Sequence, residues 1–115
     1  MANWIEATSL RILISDDDTH DGQPLHEAIV RAAREAHLAG AKVMRGVTGY
    51  GRSGHIHETW RGFSYDLPVV VEIIDSDEKI EAFLPTLERM RSGALITRHR
   101  VEVLGPSSPA AATSA

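Results

Sequence analysis

Apolar and polar positions alternate from Leu10 onward. Leu10, Ile12 and Ile14 interleave with Arg11, Leu13 and Ser15, which predicts a first strand with one apolar face. The acidic, turn-rich stretch from Asp16 to Gln23 reads as a loop. Pro24 fits the first turn of a helix and Gly40 its C-terminal cap. Between them Leu25, Ile29, Ala32, Ala33 and Ala36 make one narrow face, small enough to lie close on a sheet. Lys42 to Gly51 predicts a second strand and Leu67 to Asp75 a third. The run Val69-Val70-Val71-Glu72-Ile73-Ile74 is β-branched and nearly continuous, as in a strand covered on both faces. Asp75 to Glu78 has the D-x-x-E spacing of a capping box, and Ile80, Phe83, Leu84, Leu87 and Met90 form the apolar face of a second helix. Pro85 conflicts with that helix, so a kink or a break is expected there. Leu95 to Leu104 predicts the last strand, with Val101 and Val103 inward and Arg98, Arg100 and Glu102 on the opposite face.

The order β-α-β-β-α-β predicts an α+β ferredoxin-like sandwich, a four-stranded antiparallel sheet with two helices on one face. The other face keeps Leu13, Val70 and Ile74 among its charges. A partly apolar open face calls for a partner, and self-association is the simplest one. Residues 1–8 read as an N-terminal leader held by Trp4 and Ile5, residues 9–104 as the domain, and residues 105–115 as a disordered, proline-broken C-terminal tail.

Composition narrows the chemistry. A chain of 115 residues with 43% hydrophobic content suits one domain with a modest core. A formal net charge of -4 and the lack of a long basic run argue against nucleic-acid duplex binding, though not against a local cationic pocket. There is no cysteine, which excludes disulfides and thiolate metal sites. No apolar stretch is long enough for membrane insertion, and the first residues carry Glu6 without the pattern of a signal peptide, so a cytoplasmic location is expected.

The densest chemistry lies in residues 45–57, with four glycines, two arginines and two histidines directly after the start of the second strand. Gly46, Gly49, Gly51 and Gly54 fit a bulged strand and hairpin tip. With Arg45 and Arg52 beside them they also fit an N–H cradle for phosphate. The stretch is neither a Walker loop nor a dinucleotide fingerprint, because no helix starts there. His55 and His57 stand on one side of an extended segment, near Glu58. They read first as solvent-exposed loop histidines and only second as metal candidates. Asp16, Asp17, Asp18 and Asp21 read as a solvated turn at a helix start, since their spacing lacks a calcium-loop signature.

Pro24-Leu25-His26-Glu27, Arg45-Gly46-x-x-Gly49-Tyr50-Gly51 and Asp66-Leu67-Pro68-Val69-Val70-Val71-Glu72-Ile73-Ile74-Asp75 resemble the PII-like branch catalogued as domain of unknown function 190. The match runs in order from about Leu10 to Leu104, and Gly49 to His55 is similar to the loop entry of true PII signalling proteins. The resemblance implies a homotrimer of ferredoxin-like subunits with an adenine nucleotide (ATP, ADP or AMP, with or without Mg) in the cleft between neighbours. It implies nucleotide binding by Arg45, Gly46, Gly49, Tyr50, Gly51, Arg52 and His55. It also implies a switch loop containing Ser53, Gly54, His57, Trp60 and Phe63, whose conformation controls an unidentified target protein. Two family features differ: the glycine-rich segment before the last strand is reduced to Arg91-Ser92-Gly93-Ala94, and no arginine pair follows that strand.

An alternative class is a CutA-like metal-binding or metal-tolerance trimer on the same architecture, motivated by His55, His57 and the Asp16 to Asp18 loop. An enzyme is not expected, because no nucleophile, base and orienting group converge. Arg98 and Arg100 are expected to bridge subunits through Glu72 or Glu102 or else to reach a ligand, the interface role being favoured.

Overall fold

The computed structural model describes residues 3–46, 48–49, 57–58, 67–90 and 93–105. Strand β1 (Trp4–Ser15) runs through the centre of a four-stranded antiparallel sheet. A two-residue hairpin follows, β2 (Thr19–His20) and β3 (Gln23–Pro24), and leads into α1 (Leu25–Glu35). Next come β4 (Ala41–Arg45), the short pair β5 (Thr48–Gly49) and β6 (His57–Glu58), then β7 (Pro68–Asp75), α2 (Asp77–Met90) and β8 (Leu95–Leu104). The sheet order is β4-β7-β1-β8, which is the ferredoxin-like arrangement expected from the pattern.

Register fixes the two faces. Leu10, Ile12 and Ile14 of β1 and Val69, Val71 and Ile73 of β7 turn towards the helices, where Leu25, Ile29, Ile80, Phe83 and Leu87 close the core. All of these are buried, and each such side chain contributes about 1.5–3 kcal/mol by leaving water. The opposite face carries no helix. There Met44, Val70, Leu13 and Leu95 are paired in one row across all four strands. The next row is Lys42, Glu72, Arg11 and Thr97.

Several local expectations change. β1 begins at Trp4, so residues 4–8 belong to the sheet rather than to a leader; Trp4 to Ala7 pair only with β8. Gly105, taken as the start of the tail, still donates its N–H to the Asn3 carbonyl at 2.7 Å. The acidic loop contains the β2–β3 hairpin, turned by Asp21 (φ 51°) and Gly22 (φ 79°), the positive-φ pair of a type I′ turn. The second strand stops at Arg45, and Thr48–Gly49 leave it to pair with His57–Glu58. Ser76, not Asp75, caps α2: its Oγ accepts the Lys79 N–H at 3.2 Å and its carbonyl accepts that of Ile80. The helix runs unbroken through Pro85, which lies on its exposed side, where water can serve the carbonyl that lacks a partner. Val101 and Val103 share the helix-free face with Leu13, whereas Arg98 and Arg100 lie on the helix side, opposite Leu10 and Thr8.

The C-terminal cap of α1 is Ala36, and the positive-φ residue that follows it is His37, not Gly40. His37 has φ 59°, its N–H meets the Arg34 carbonyl at 3.0 Å, and the Leu38 N–H meets that of Ala33 at 3.1 Å. This is the Schellman pattern with a histidine where glycine is favoured. His37→Gly is therefore expected to raise stability by about 0.5–1 kcal/mol, read as a higher midpoint in urea at unchanged slope.

Candidate functional site

The chain from Gly46 to Leu67 leaves the sheet and returns to it through a narrow neck. Gly46 donates its N–H to the Pro68 carbonyl at 2.7 Å, and the Asp16 N–H reaches the Leu67 carbonyl at 2.8 Å. A β-carbon on Gly46 would lie 2.8 Å from Pro68 Cγ, so only glycine lets the strands meet this closely. The Gly46 amide is thus engaged in the neck rather than directed at a ligand. Arg45, half-exposed on the helix side of β4, forms an ion pair with Asp16 at the same place. Asp16 is the first residue of a tight turn: Asp18 N–H returns to the Ser15 carbonyl at 3.1 Å, and Asp18 Oδ2 accepts the Ser15 N–H at 2.9 Å.

Behind Asp16 stands His26, in the first turn of α1. It is buried, its Nδ1 has no hydrogen-bond partner, and that atom lies 3.9 Å from the Asp16 Oδ1 that also meets Arg45. Arg45, Asp16 and His26 come from β4, the β1 turn and α1. Spacing alone gives no sign that they meet, although His26 lies in one of the segments that carry the family resemblance.

Of the residues expected to bind nucleotide, Arg45 and Gly46 stand at the neck and Gly49 lies in β5, paired with His57 of β6. Tyr50, Gly51, Arg52 and His55 lie outside the described residues, as do Ser53, Gly54, Trp60 and Phe63 of the expected switch loop. Among the described residues no three His, Asp or Glu side chains group as a metal site. No described helix is long and apolar enough to cross a membrane.

The second feature is the helix-free face. Glu72 is 7% exposed there and is held by Arg11 Nε at 2.9 Å, Lys42 Nζ at 3.2 Å and Ser9 Oγ at 3.2 Å. The Arg11 guanidinium above all, then Lys42 and Ser9, outweigh burial and hold the carboxyl below its usual range. Arg98 turns the other way, onto Glu81 of α2, and Arg100 lies 3.8 Å from Glu6. Within the chain, therefore, Glu72 is partnered by Arg11 and Lys42 rather than by the last-strand arginines. Since the folded state lowers this pKa, Glu72 stabilises the fold above its unfolded value near 4.5, and that stability is lost as pH falls through the lower folded value. Glu72→Gln is expected to flatten the acid limb of the stability profile, measured by urea unfolding between about pH 3 and 6.

Around Glu72 the face is apolar, with Leu13 39%, Met44 41% and Leu95 59% exposed. A groove of about 430 Å³ at one side is lined by Ala39, Gly40, Lys42, Glu72, Ile74 and Val103. An open apolar surface around a satisfied ion cluster suits contact with protein rather than a small polar ligand.

Comparison with known proteins agrees with this architecture. The family model DUF190, described as Uncharacterized ACR, matches residues 7–103. A UPF0166 protein of Aquifex aeolicus is 42% identical over 97 residues, covering 83% of this chain and 90% of that protein. A UPF0166 protein of Methanocaldococcus jannaschii is 31% identical over 93 residues, covering 80% and 86%. Among solved structures, CPII from Thiomonas intermedia, a nitrogen regulatory PII-like protein bound to ADP, AMP and bicarbonate, is similar with a TM-score of 0.61. It shows 17% identity, with 90% of this chain and 93% of that one covered. A putative PII-like signaling protein from Thermus thermophilus gives a TM-score of 0.67 at 14% identity, covering 89% and 93%.

Proposed function

This chain belongs to the DUF190 family and has a PII-like fold, and on that premise we propose that it is a nucleotide-responsive regulatory protein. In this reading three copies assemble through the helix-free face, and an adenine nucleotide lies in the cleft between neighbours, at the neck of residues 46–67. Binding there sets the conformation of residues 49–63 and so decides whether a target protein is engaged. The protein acts by binding, in the cytoplasm, and not as an enzyme.

The observation that carries this reading is the placement of Arg45. It is a half-exposed guanidinium at the root of the glycine- and arginine-rich segment, on a fold whose solved relative CPII holds ADP and AMP. A forked cation suits a phosphate oxygen pair, and an anchored neck turns phosphate contacts into loop ordering. Exposed sheet-face side chains at Leu13, Met44 and Leu95 support self-association.

Isothermal titration with ATP, ADP, AMP and cyclic AMP tests the proposal. Saturable binding of at least one is expected, weakened at least tenfold by Arg45→Ala, the loss typical of a charged hydrogen bond worth about 1.5–3 kcal/mol. Absence of binding by all four at millimolar concentration would overturn it.

A further inference from the structure

Asp16 Oδ1 faces a guanidinium and an imidazole. Arg45 holds it now, and His26 Nδ1 waits 3.9 Å away, buried and without a hydrogen-bond partner. A buried polar atom left unpaired carries a desolvation cost, so its retention beside a carboxylate calls for an explanation. With the hydrogen of the neutral imidazole on Nε2, Nδ1 offers the carboxylate nothing, whereas the doubly protonated ring donates to it from Nδ1–H.

We propose that anion binding at Arg45 is linked to proton uptake at His26, with Asp16 passing from one cation to the other. The inference rests on the reading of Arg45 as a phosphate ligand. When phosphate draws the guanidinium away, Asp16 loses its counter-ion in a pocket where its side chain is only 25% exposed. The imidazole takes one proton from solvent, keeps it on Nδ1, and replaces Arg45 as donor to Oδ1. The carboxylate stays charged throughout and no other bond changes.

The surroundings leave Asp16 as the partner. The elements packed on α1 are β2, β3, β4, β7 and α2. From the β1 turn come Asp16, Asp17 and Asp18, the last with Oδ2 on the Ser15 N–H. β4 brings Arg45, and the β2–β3 hairpin brings His20 and Asp21, which pair with each other at 3.4 Å. The core-facing residues of β7 and α2, Val69, Val71, Ile73, Ile80, Phe83 and Leu87, do not titrate. On α1 itself Glu27 is exposed.

Two independent measurements test this. In the ligand-free protein, Arg45→Gln removes the competing cation. The protonated fraction of His26 at about pH 6.5, read from its imidazole NMR shifts, is expected to rise at least threefold, and Asp16→Asn in the same background should abolish the rise. In the parent protein, the enthalpy of nucleotide binding should depend on the ionisation enthalpy of the buffer, with net proton uptake. Affinity should then fall as pH rises, and His26→Gln should remove both effects. An unchanged His26 in Arg45→Gln, or nucleotide binding without proton uptake, would overturn the proposal. If the NMR effect appears and no nucleotide binds, the exchange between Arg45 and His26 stands, and it is the reading of the ligand that fails.

Discussion

A Leu13→Asp protein is expected to elute and scatter as a single 12.6 kDa chain, where the proposed function has the parent assembling as three. Leu13 sits between Val70 and Leu95 in the apolar row that crosses all four strands on the helix-free face. Neighbouring strands lie about 4.8 Å apart, so this row is about 14 Å wide and Leu13 is near its middle. In an assembly through this face a carboxylate there would be buried beside an Arg11 already committed to Glu72, at a cost of several kcal/mol per copy. The isolated fold should tolerate the change, because Leu13 is 39% exposed in the single chain and turned away from the core. Light scattering coupled to gel filtration, together with a urea midpoint, separates the two effects. A parent that is already monomeric, or a Leu13→Asp protein that remains assembled, would show that another surface is used.

The second large effect is expected in the row beside it. Replacing Arg11 and Lys42 together by methionine keeps apolar bulk but strips Glu72 of both cations. Glu72 is 7% exposed and, among the described residues, would retain only Ser9 as a donor. Fully buried pairs lose about 3–5 kcal/mol when one partner is removed. Arg11 and Lys42 are 47% and 64% exposed, so screening by water lowers the expectation to about 2–3 kcal/mol. That corresponds to a melting temperature lower by about 10–20 °C. Adding Glu72→Met should restore most of the loss, because replacing all partners of a buried ion cluster by apolar groups is close to neutral. A double variant as stable as the parent would show that the cluster is held by something other than charge.

How far the chain could be read in advance depended on whether a signal was local. Alternation at Leu10, Ile12 and Ile14 and the β-branched run of β7 placed the two central strands, because period-two burial is written into neighbouring residues. The first turns of β1 escaped, since Ala7, Thr8 and Ser9 are consecutive and all buried, which breaks the alternation. Capping was readable only in kind. Asp75 and Ser76 are both good caps, and the helix started one residue later than the acid suggested. Gly40 invited the role of C-cap, yet the positive φ fell on His37, where Leu38 could turn back onto the core. Arg45 meets Asp16 across 29 positions and His26 approaches Asp16 across 10, and spacing in sequence carries no information about such contacts. Glu72, by contrast, was visible as a lone acid inside an apolar strand, and only its partners needed the register.

The neck at Gly46 and Pro68 has a consequence for how such proteins diversify. Because the two ends of residues 47–66 are already joined by a backbone hydrogen bond, the sheet is closed beneath that segment whatever its length or sequence. Doubling a loop between fixed ends costs only about 0.6 kcal/mol of closure entropy. The segment can therefore be lengthened, shortened or exchanged between lineages at little cost to folding. Evolution can rewrite that segment while leaving the sheet that supports it unchanged.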